Sequence, residues 1–414
     1  MHDAELSARA ARSRGGPTTK WCRRRVLERF GSLEHGGLEL SDGRERWMLG
    51  RAGGRVGRVE VRDPAFWRML VTGGSVGAGE AYVAGLWDSP ELVDVIRVLA
   101  ANRDLLARMD EGAARLYGGL LRVVHRFHRN SIEGSRRNIS AHYDLGNDFF
   151  ASWLDARMQY SSALYRSASD SLDAAQENKL ARICDRLALG PGDHLLEIGT
   201  GWGGLAEYAA HRTGCRVTTT TISREQFDFA KRRIADAGLD DRVEVLLRDY
   251  RDLEGRYDKL VSVEMIEAVG AEYLDTYLAT ISSRLKPEGL ALIQAITIED
   301  FRYREALSSV DFIKRYIFPG SFIPSISAIT ASMGRASDLG LLELFDMGDS
   351  YARTLAAWRE RFEAAWRNND FGFDEAFRRR WRYYLAYCEG GFAERAISDV
   401  QLLLARPGYR KAAG

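Results

Sequence analysis

The sequence has no apolar run approaching the ~18 residues of a membrane-spanning helix, and its Arg-, Ala- and Gly-rich start lacks the apolar core of a signal peptide. Any membrane contact is therefore expected to be peripheral. Only four cysteines occur, Cys22, Cys184, Cys215 and Cys388, too scattered for a CxxC metal pair or a secreted disulfide framework. No metal centre is expected, and a reducing cytoplasm is the expected compartment. An excess of either charge is also missing. With 59 Lys and Arg against 58 Asp and Glu, no nucleic-acid partner is expected, and local patches matter more than the total. All seven histidines lie at or before His211, so a catalytic centre in the second half has no histidine base to draw on.

What is present is a chain of 414 residues, 45% hydrophobic, enough for about two to three domains. Residues 1–20 read as a disordered leader, because Ser13-Arg-Gly-Gly-Pro-Thr-Thr offers turn formers and nothing to bury. Residues 21–130 read as a smaller, mixed, lipid-associating N-terminal domain. It has β-like runs at 44–49 and 58–61 and helical stretches at 65–70 and 91–127. Its last helix sets Leu105, Met109, Ala113, Leu116, Leu120, Val124 and Phe127 at three-to-four spacing, with Arg115, Arg122, Arg126 and Arg129 nearby. That profile suits an anionic lipid surface, and an ordinary packed helix with a solvated arginine face fits the pattern equally well.

Residues 131–414 read as the catalytic domain. Apolar runs at 195–198, 217–221, 243–247, 260–263 and 290–296 alternate with helical stretches such as 224–237 and 273–285. This grammar predicts a doubly wound parallel sheet, whose ligands bind beyond the carboxyl ends of the strands where the strand order switches. After Pro324 the chain reads as a helical, aromatic-rich cap or C-terminal extension.

The strongest local feature is Leu195-Leu-Glu197-Ile-Gly199-Thr-Gly201-Trp-Gly203-Gly204, a strand running into glycines that let backbone approach a ligand before a helix opens. The next strand ends in Thr218-Thr-Thr-Thr221 with no acid at its tip, which weighs against a dinucleotide. Glu197 is placed instead to meet the ammonium or hydroxyls of a nucleoside-like ligand. A tight turn without a ligand is the plain alternative. Two further segments, Asn138 to Phe150 and Met158-Gln-Tyr160-Ser161-Ser162-Ala-Leu-Tyr165, mix polar groups and aromatics without an amphipathic period. They read as binding loops or as a helix cap with an aromatic cluster. In Val263-Glu264-Met-Ile-Glu267, one carboxylate could act as a base or orient one. Acids in the first turn of a helix are favoured by its dipole in any case, and that bland account covers Glu264 better than Glu267. Cys388 lies in an aromatic segment, where small core filler is the simpler account.

Together these segments resemble the cyclopropane-fatty-acid synthase family, including the mycolic acid cyclopropane synthases. The resemblance runs from about Ser75 to Val400 and rests on several stretches at once. They are Gly77-Ala-Gly-Glu80-Ala-Tyr, His142-Tyr-Asp-Leu-Gly-Asn-Asp-Phe-Phe, Gln159-Tyr-Ser, the Glu197 glycine turn, Thr221-Ile-Ser-Arg-Glu-Gln226, Met265-Ile-Glu-Ala-Val-Gly, Lys314-Arg-Tyr-Ile-Phe-Pro-Gly, Tyr351 to Trp358 and Tyr383 to Cys388. The resemblance implies a class I S-adenosylmethionine methyltransferase sheet. It implies that Tyr143, Tyr160, Ser161, Glu197, Gly199, Gly201, Gly203, Thr221, Gln226, Tyr250 and Arg251 surround S-adenosylmethionine.

It also implies methyl transfer to the cis double bond of unsaturated phospholipid acyl chains, giving a cyclopropane or, by the same first step, a methylene or methyl branch. Cys388 matches an active-site cysteine, and a bicarbonate base would be held by Glu267 and Tyr351. Two positions depart from the pattern. Ser162 stands where many relatives have cysteine, and Gln294 where they have histidine, although both can donate a hydrogen bond to a carbonate oxygen. The expected setting is the cytoplasmic face of the inner membrane, with self-association as a homodimer left open. A small-molecule methyltransferase and an inactive lipid-surface protein are the rival readings.

Overall fold

In the computed structural model, residues 16–51, 53–104 and 145–410 are described. They fall into two units, and the chain crosses between them several times. The first is Met1–Phe127 with Ser309–Ile317 and Trp358–Ala396; the second is His128–Ser308, Phe318–Ala357 and Ile397–Gly414. The first unit thus draws on more than the stretch 21–130. The arginine-flanked helix expected through Phe127 and the loop residues His142, Tyr143 and Asp144 lie outside the described residues.

The first unit opens with a helix, Pro17–Phe30, that starts inside the stretch read as a disordered leader. Proline suits the first helical position because its φ is preset and its missing N–H would have no partner there. Cys22, Val26 and Phe30, spaced by four, then give the helix a buried face. Four strands follow, β1 (Gly37–Ser41), β2 (Arg46–Gly50), β3 (Val56–Val61) and β4 (Trp87–Asp88), in the order β2-β1-β3-β4.

The helix Ala65–Val83 breaks its regular conformation at Gly74, where φ is 54°. It carries the Gly77-Ala-Gly-Glu80-Ala-Tyr82 motif, and packing explains the motif's small residues. A Cβ on Gly79 would meet the Phe312 ring at 2.4 Å and the Tyr383 ring at 2.9 Å. One residue on, Glu80 accepts from the Tyr316 hydroxyl at 2.7 Å and pairs with Arg315 at 3.2 Å. Gly79→Ala should therefore lower the unfolding free energy by about 1–3 kcal/mol, the usual cost of overpacking, read by urea denaturation. An unchanged midpoint would mean that the Phe312 ring yields freely.

The second unit holds a seven-stranded sheet of β5 (His194–Ile198), β6 (Arg216–Thr221), β7 (Val243–Leu247), β8 (Tyr257–Val263), β9 (Leu285–Ile298), β10 (Gly340–Asp346) and β11 (Ile397–Ala405). Their order is β10-β11-β9-β8-β5-β6-β7. β5 to β9 pair in parallel, as the alternating grammar predicts. β11 and β10 are added antiparallel, so the region after Pro324 is only partly the expected helical extension. The chain winds from β5 out to β7 and returns to start β8 on the other side of β5. The switch in strand order therefore lies between β5 and β8, and the turns after these two strands flank it.

Both faces of the sheet are apolar. Leu196, Ile198, Leu260, Ala291 and Ile293 join a core with the helix Leu274–Arg284. Their neighbours Leu195, Val261, Leu290 and Leu292 join a second core with the helices Leu172–Arg186, Gly204–Thr213 and Arg224–Asp236. Strand alternation sends successive residues to opposite faces, which is why near-continuous apolar runs were needed.

Candidate active site

The turn after β5 is a run of left-handed glycines: Gly199 at φ 101°, Gly201 at 52° and Gly203 at 83°. A Cβ on Gly201 would meet nothing within 4 Å, so that side of the turn is open. Gly204 is required for a different reason. A Cβ there would come within 2.5 Å of Gln159 Nε2 and 2.6 Å of the Arg157 carbonyl oxygen, so the Gln159-Tyr-Ser segment lies directly against the turn. Tyr160 sits in an aromatic group with Phe150, Trp153 and Phe318, and Trp202 donates to Asn147 at 2.7 Å. At the tip of β6, Thr221 donates to Gln226 Oε1 at 2.9 Å, bringing together two residues that the sequence reading paired.

Glu197 is 3% exposed, and its Oε2 has no hydrogen-bond partner. Burial pushes its carboxyl up to about 8, against a hydrogen bond from Thr219 and the charge of Lys179. An orphaned buried acceptor beside an open glycine turn fits a cationic, hydroxyl-bearing ligand such as S-adenosylmethionine. Two of the expected cofactor residues are otherwise engaged. Arg251 forms a forked pair with Asp249, at 2.8 Å through both Nε and Nη2. Tyr250 belongs to the core, edge-on to Tyr277, with a buried hydroxyl that burial pushes up to about 12.

Across the switch point, the turn after β8 holds a cluster of carboxylates. Glu264 has φ 48°, an uncommon conformation for a side chain of its size. Held there, its Oε1 accepts from the Ser162 backbone N–H at 2.7 Å and from Gln294 Nε2 at 2.8 Å, and its Oε2 accepts from the Tyr351 hydroxyl at 2.6 Å. Gln294 also donates to Asp399 Oδ2 at 2.9 Å and accepts from Gln401 at 3.0 Å. Glu267 accepts from the Ile296 N–H at 2.5 Å, while its other oxygen is buried and unpartnered, as is Oδ1 of Asp399.

Burial raises the carboxyls of Glu264, Glu267 and Asp399, the second to about 8 with the Glu264 charge adding to the effect. The three donors aimed at Glu264 oppose that rise and favour its ionised form, whereas Glu267 accepts a single backbone N–H and keeps one oxygen unpartnered. This overturns the bland account of Glu264. It also gives another acceptor to the groups expected to hold a bicarbonate, since Tyr351 and Gln294 converge on a carboxylate of the chain itself. Ser162 contributes its backbone N–H, while its hydroxyl turns to the Ala163 carbonyl.

A family model described as mycolic acid cyclopropane synthetase matches residues 130–402. The chain belongs to that family. It is 40% identical over 387 residues to the tuberculostearic acid methyltransferase UfaA1 of Mycobacterium tuberculosis, covering 90% of this chain and 88% of that protein. It is 38% identical over 350 residues to the cyclopropane-fatty-acyl-phospholipid synthase of Escherichia coli K12, covering 84% of this chain and 87% of that one. Among solved structures, the mycolic acid cyclopropane synthase CmaA1 complexed with SAH and CTAB aligns with a TM-score of 0.60 at 26% identity. That alignment covers 65% of this chain and 98% of the other. The protein is accordingly a methyltransferase that uses S-adenosylmethionine, built on the class I sheet.

Within this family member, the second unit collects Tyr160, Ser161, Ser162, Glu197, the glycine turn, Thr221, Gln226, Glu267, Gln294 and Tyr351. Cys388 lies in the first unit, on the helix Glu375–Ala393, where burial and then Asp311 raise its thiol. A thiol so raised is protonated at neutral pH and a poor nucleophile. The sequence reading gave no role to Asp399 or Lys179. Lys179 looks like an ordinary charged helix residue in the sequence, and Asp399 sits on a strand that was not anticipated.

The raised carboxyl of Glu267 makes stability depend on pH. Folded, it takes up its proton at about 8; its ordinary value is 4.5, so the folded state binds more protons in between. Its contribution is present below the ordinary value and is lost as pH rises toward about 8. Glu267→Gln keeps the shape without an ionisation, so the Tm of the variant minus that of the wild type should grow from about pH 5 to about pH 8 and level off above. Scanning calorimetry checks this, and a pH-independent difference would mean that Glu267 is ionised in the folded protein.

Proposed function

We propose that this protein methylates the cis double bond of unsaturated acyl chains of phospholipids, and that Glu264 receives the proton released. The observation that carries this reading is the Glu264 carboxylate, fixed by Ser162, Gln294 and Tyr351 beside the switch point. Support for a lipid acceptor comes from the likeness to the phospholipid synthase of Escherichia coli. When bound, S-adenosylmethionine supplies an electrophilic methyl. Tyr160, Ser161, Thr221, Gln226 and the Gly199–Gly204 turn would hold it, with the unpartnered Oε2 of Glu197 as an acceptor for its ammonium or hydroxyls. An alkene carbon that accepts a methyl leaves its neighbour electron-poor, and the product is reached only when a proton departs. A carboxylate held ionised in a buried setting can take that proton without a histidine or a bicarbonate.

Loss of a proton from the new methyl, as its carbon bonds to the electron-poor neighbour, closes a cyclopropane ring; a hydride shift from the methylated carbon to that neighbour, followed by loss of a methyl proton, leaves a methylene branch. The second outcome is favoured by the 40% identity to a tuberculostearic acid methyltransferase. On either outcome the enzyme works as a peripheral protein at the cytoplasmic membrane face. No helix among the described residues is long and apolar enough to cross a membrane.

With a labelled methyl donor and unsaturated phospholipid vesicles, Glu264→Gln should lower turnover by about 10²–10⁴-fold, the usual contribution of a general base. Binding of S-adenosylhomocysteine, measured by calorimetry, should stay near the wild-type level. The wild-type rate should not respond to added bicarbonate. Proton NMR of the product separates a ring from a branch. Unimpaired turnover by Glu264→Gln would remove the assigned base, and turnover on soluble amines in place of vesicles would remove the lipid reading.

A further inference from the structure

The helix Leu172–Arg186 presents Gln176 and Lys179, three residues apart, on one buried face. Lys179 is 0% exposed. Its ammonium donates to Ser161 Oγ at 2.6 Å and to Gln159 Oε1 at 3.1 Å. Gln176 takes the backbone of the same segment, donating to the carbonyl oxygens of Ser161 at 2.9 Å and Gln159 at 3.4 Å. The next residue, Ser162, donates its N–H to Glu264. One helical face therefore holds the segment that lies against the glycine turn on one side and meets the Glu264 carboxylate on the other.

The charges around Lys179 point the same way. Four acids act on it from different elements, in decreasing order Glu264 after β8, Asp155 in the turn after the short helix Asn147–Ala151, Asp399 on β11 and Glu197 on β5. Asp173, at the start of the lysine's own helix, acts on Asp155. Of the two buried basic side chains among the described residues, the other, Arg379, belongs to the first unit, where it pairs with Asp88. Burial pulls its ammonium down to about 8 against these acids, Glu264 foremost, so the group that chiefly offsets the cost of the buried charge belongs to the candidate active site.

We propose that Lys179 is a positioning residue for methyl transfer: its ammonium clamps the Gln159–Ser162 segment and supplies the buried positive charge opposite the Glu264 carboxylate. The charge role rests on the assignment of Glu264 as base, whereas the clamp on the segment does not. Of the influences on Glu264, Lys179 favours the ionised form together with Tyr351, Ser162 and Gln294, against burial. Removing the ammonium makes Glu264 harder to ionise, so a rate that needs the carboxylate should fall off at a higher pH than in the wild type.

The test compares Lys179→Met, which keeps an apolar stem of similar length, with Lys179→Arg, which keeps the charge. For the first, the acidic limb of the kcat/KM profile on unsaturated phospholipid vesicles should move up by about one pH unit. Its affinity for S-adenosylhomocysteine, measured by calorimetry, should fall about tenfold, as expected for loss of a charged hydrogen bond that orders the segment. For the second, the limb should stay at its wild-type position. A folded Lys179→Met with wild-type limb and wild-type affinity overturns the proposal, because a merely structural lysine would move neither. If Lys179→Met does not fold, Lys179→Arg decides alone, and a displaced limb in that charge-retaining variant overturns it. If Glu264→Gln proves fully active while Lys179→Met still loses affinity, the base assignment fails and the clamp stands.

Discussion

The carboxylate of Glu264 is the point on which donors from across the second unit converge. Its partners come from far apart in the chain: Ser162 before the sheet begins, Gln294 in the middle of it and Tyr351 in the segment between its last two strands. Each supplies a donor, and a buried carboxylate stays ionised only when such donors offset the loss of water. The left-handed φ of Glu264 belongs to the same constraint, since it aims the side chain at those donors and costs of order 1–3 kcal/mol that the surrounding contacts must cover.

How much of this could be read from the sequence follows from how local each feature is. The glycine turn was legible because strand, glycines and helix are consecutive, and each residue's need is set within a few positions. The parallel strands β5 to β9 were legible for a similar reason, as apolar runs between helical periods. β10 and β11 were not. β10 leaves Leu341, Leu342 and Leu344 exposed, so no alternation marks it, and β11 follows a long aromatic helix that dominates its surroundings. Glu264 was passed over because a first-turn acid has a sufficient local explanation, and nothing in residues 263–267 reveals donors arriving from residues 162, 294 and 351. Tyr250 shows a role that the sequence did not display, since its position after β7 suited a ligand contact while its ring also joins the core.

Gln294 shows how one substitution can be absorbed. Where the family resemblance led us to expect a histidine, an amide bridges Glu264 and Asp399 through one nitrogen and accepts from Gln401 through its oxygen. An amide does not titrate, so its part is to fix the two carboxyls at a set separation. Beyond Gln401, Arg182 donates to its side chain at 2.9 Å and pairs with Glu343 at 2.5 Å, tying the cluster to the edge strand.

The antiparallel arrival of β11 has a consequence for biosynthesis. This strand inserts between β9 and β10, and it carries both Asp399 and Gln401. During translation the parallel strands emerge first, so one flank of β9 offers unpaired amides until residues 397–405 leave the ribosome. An open flank of that kind is an invitation to wrong partners. The polypeptide thus completes its carboxyl cluster and closes this border in a single late step, and a nascent chain that stalls before it would be prone to clump.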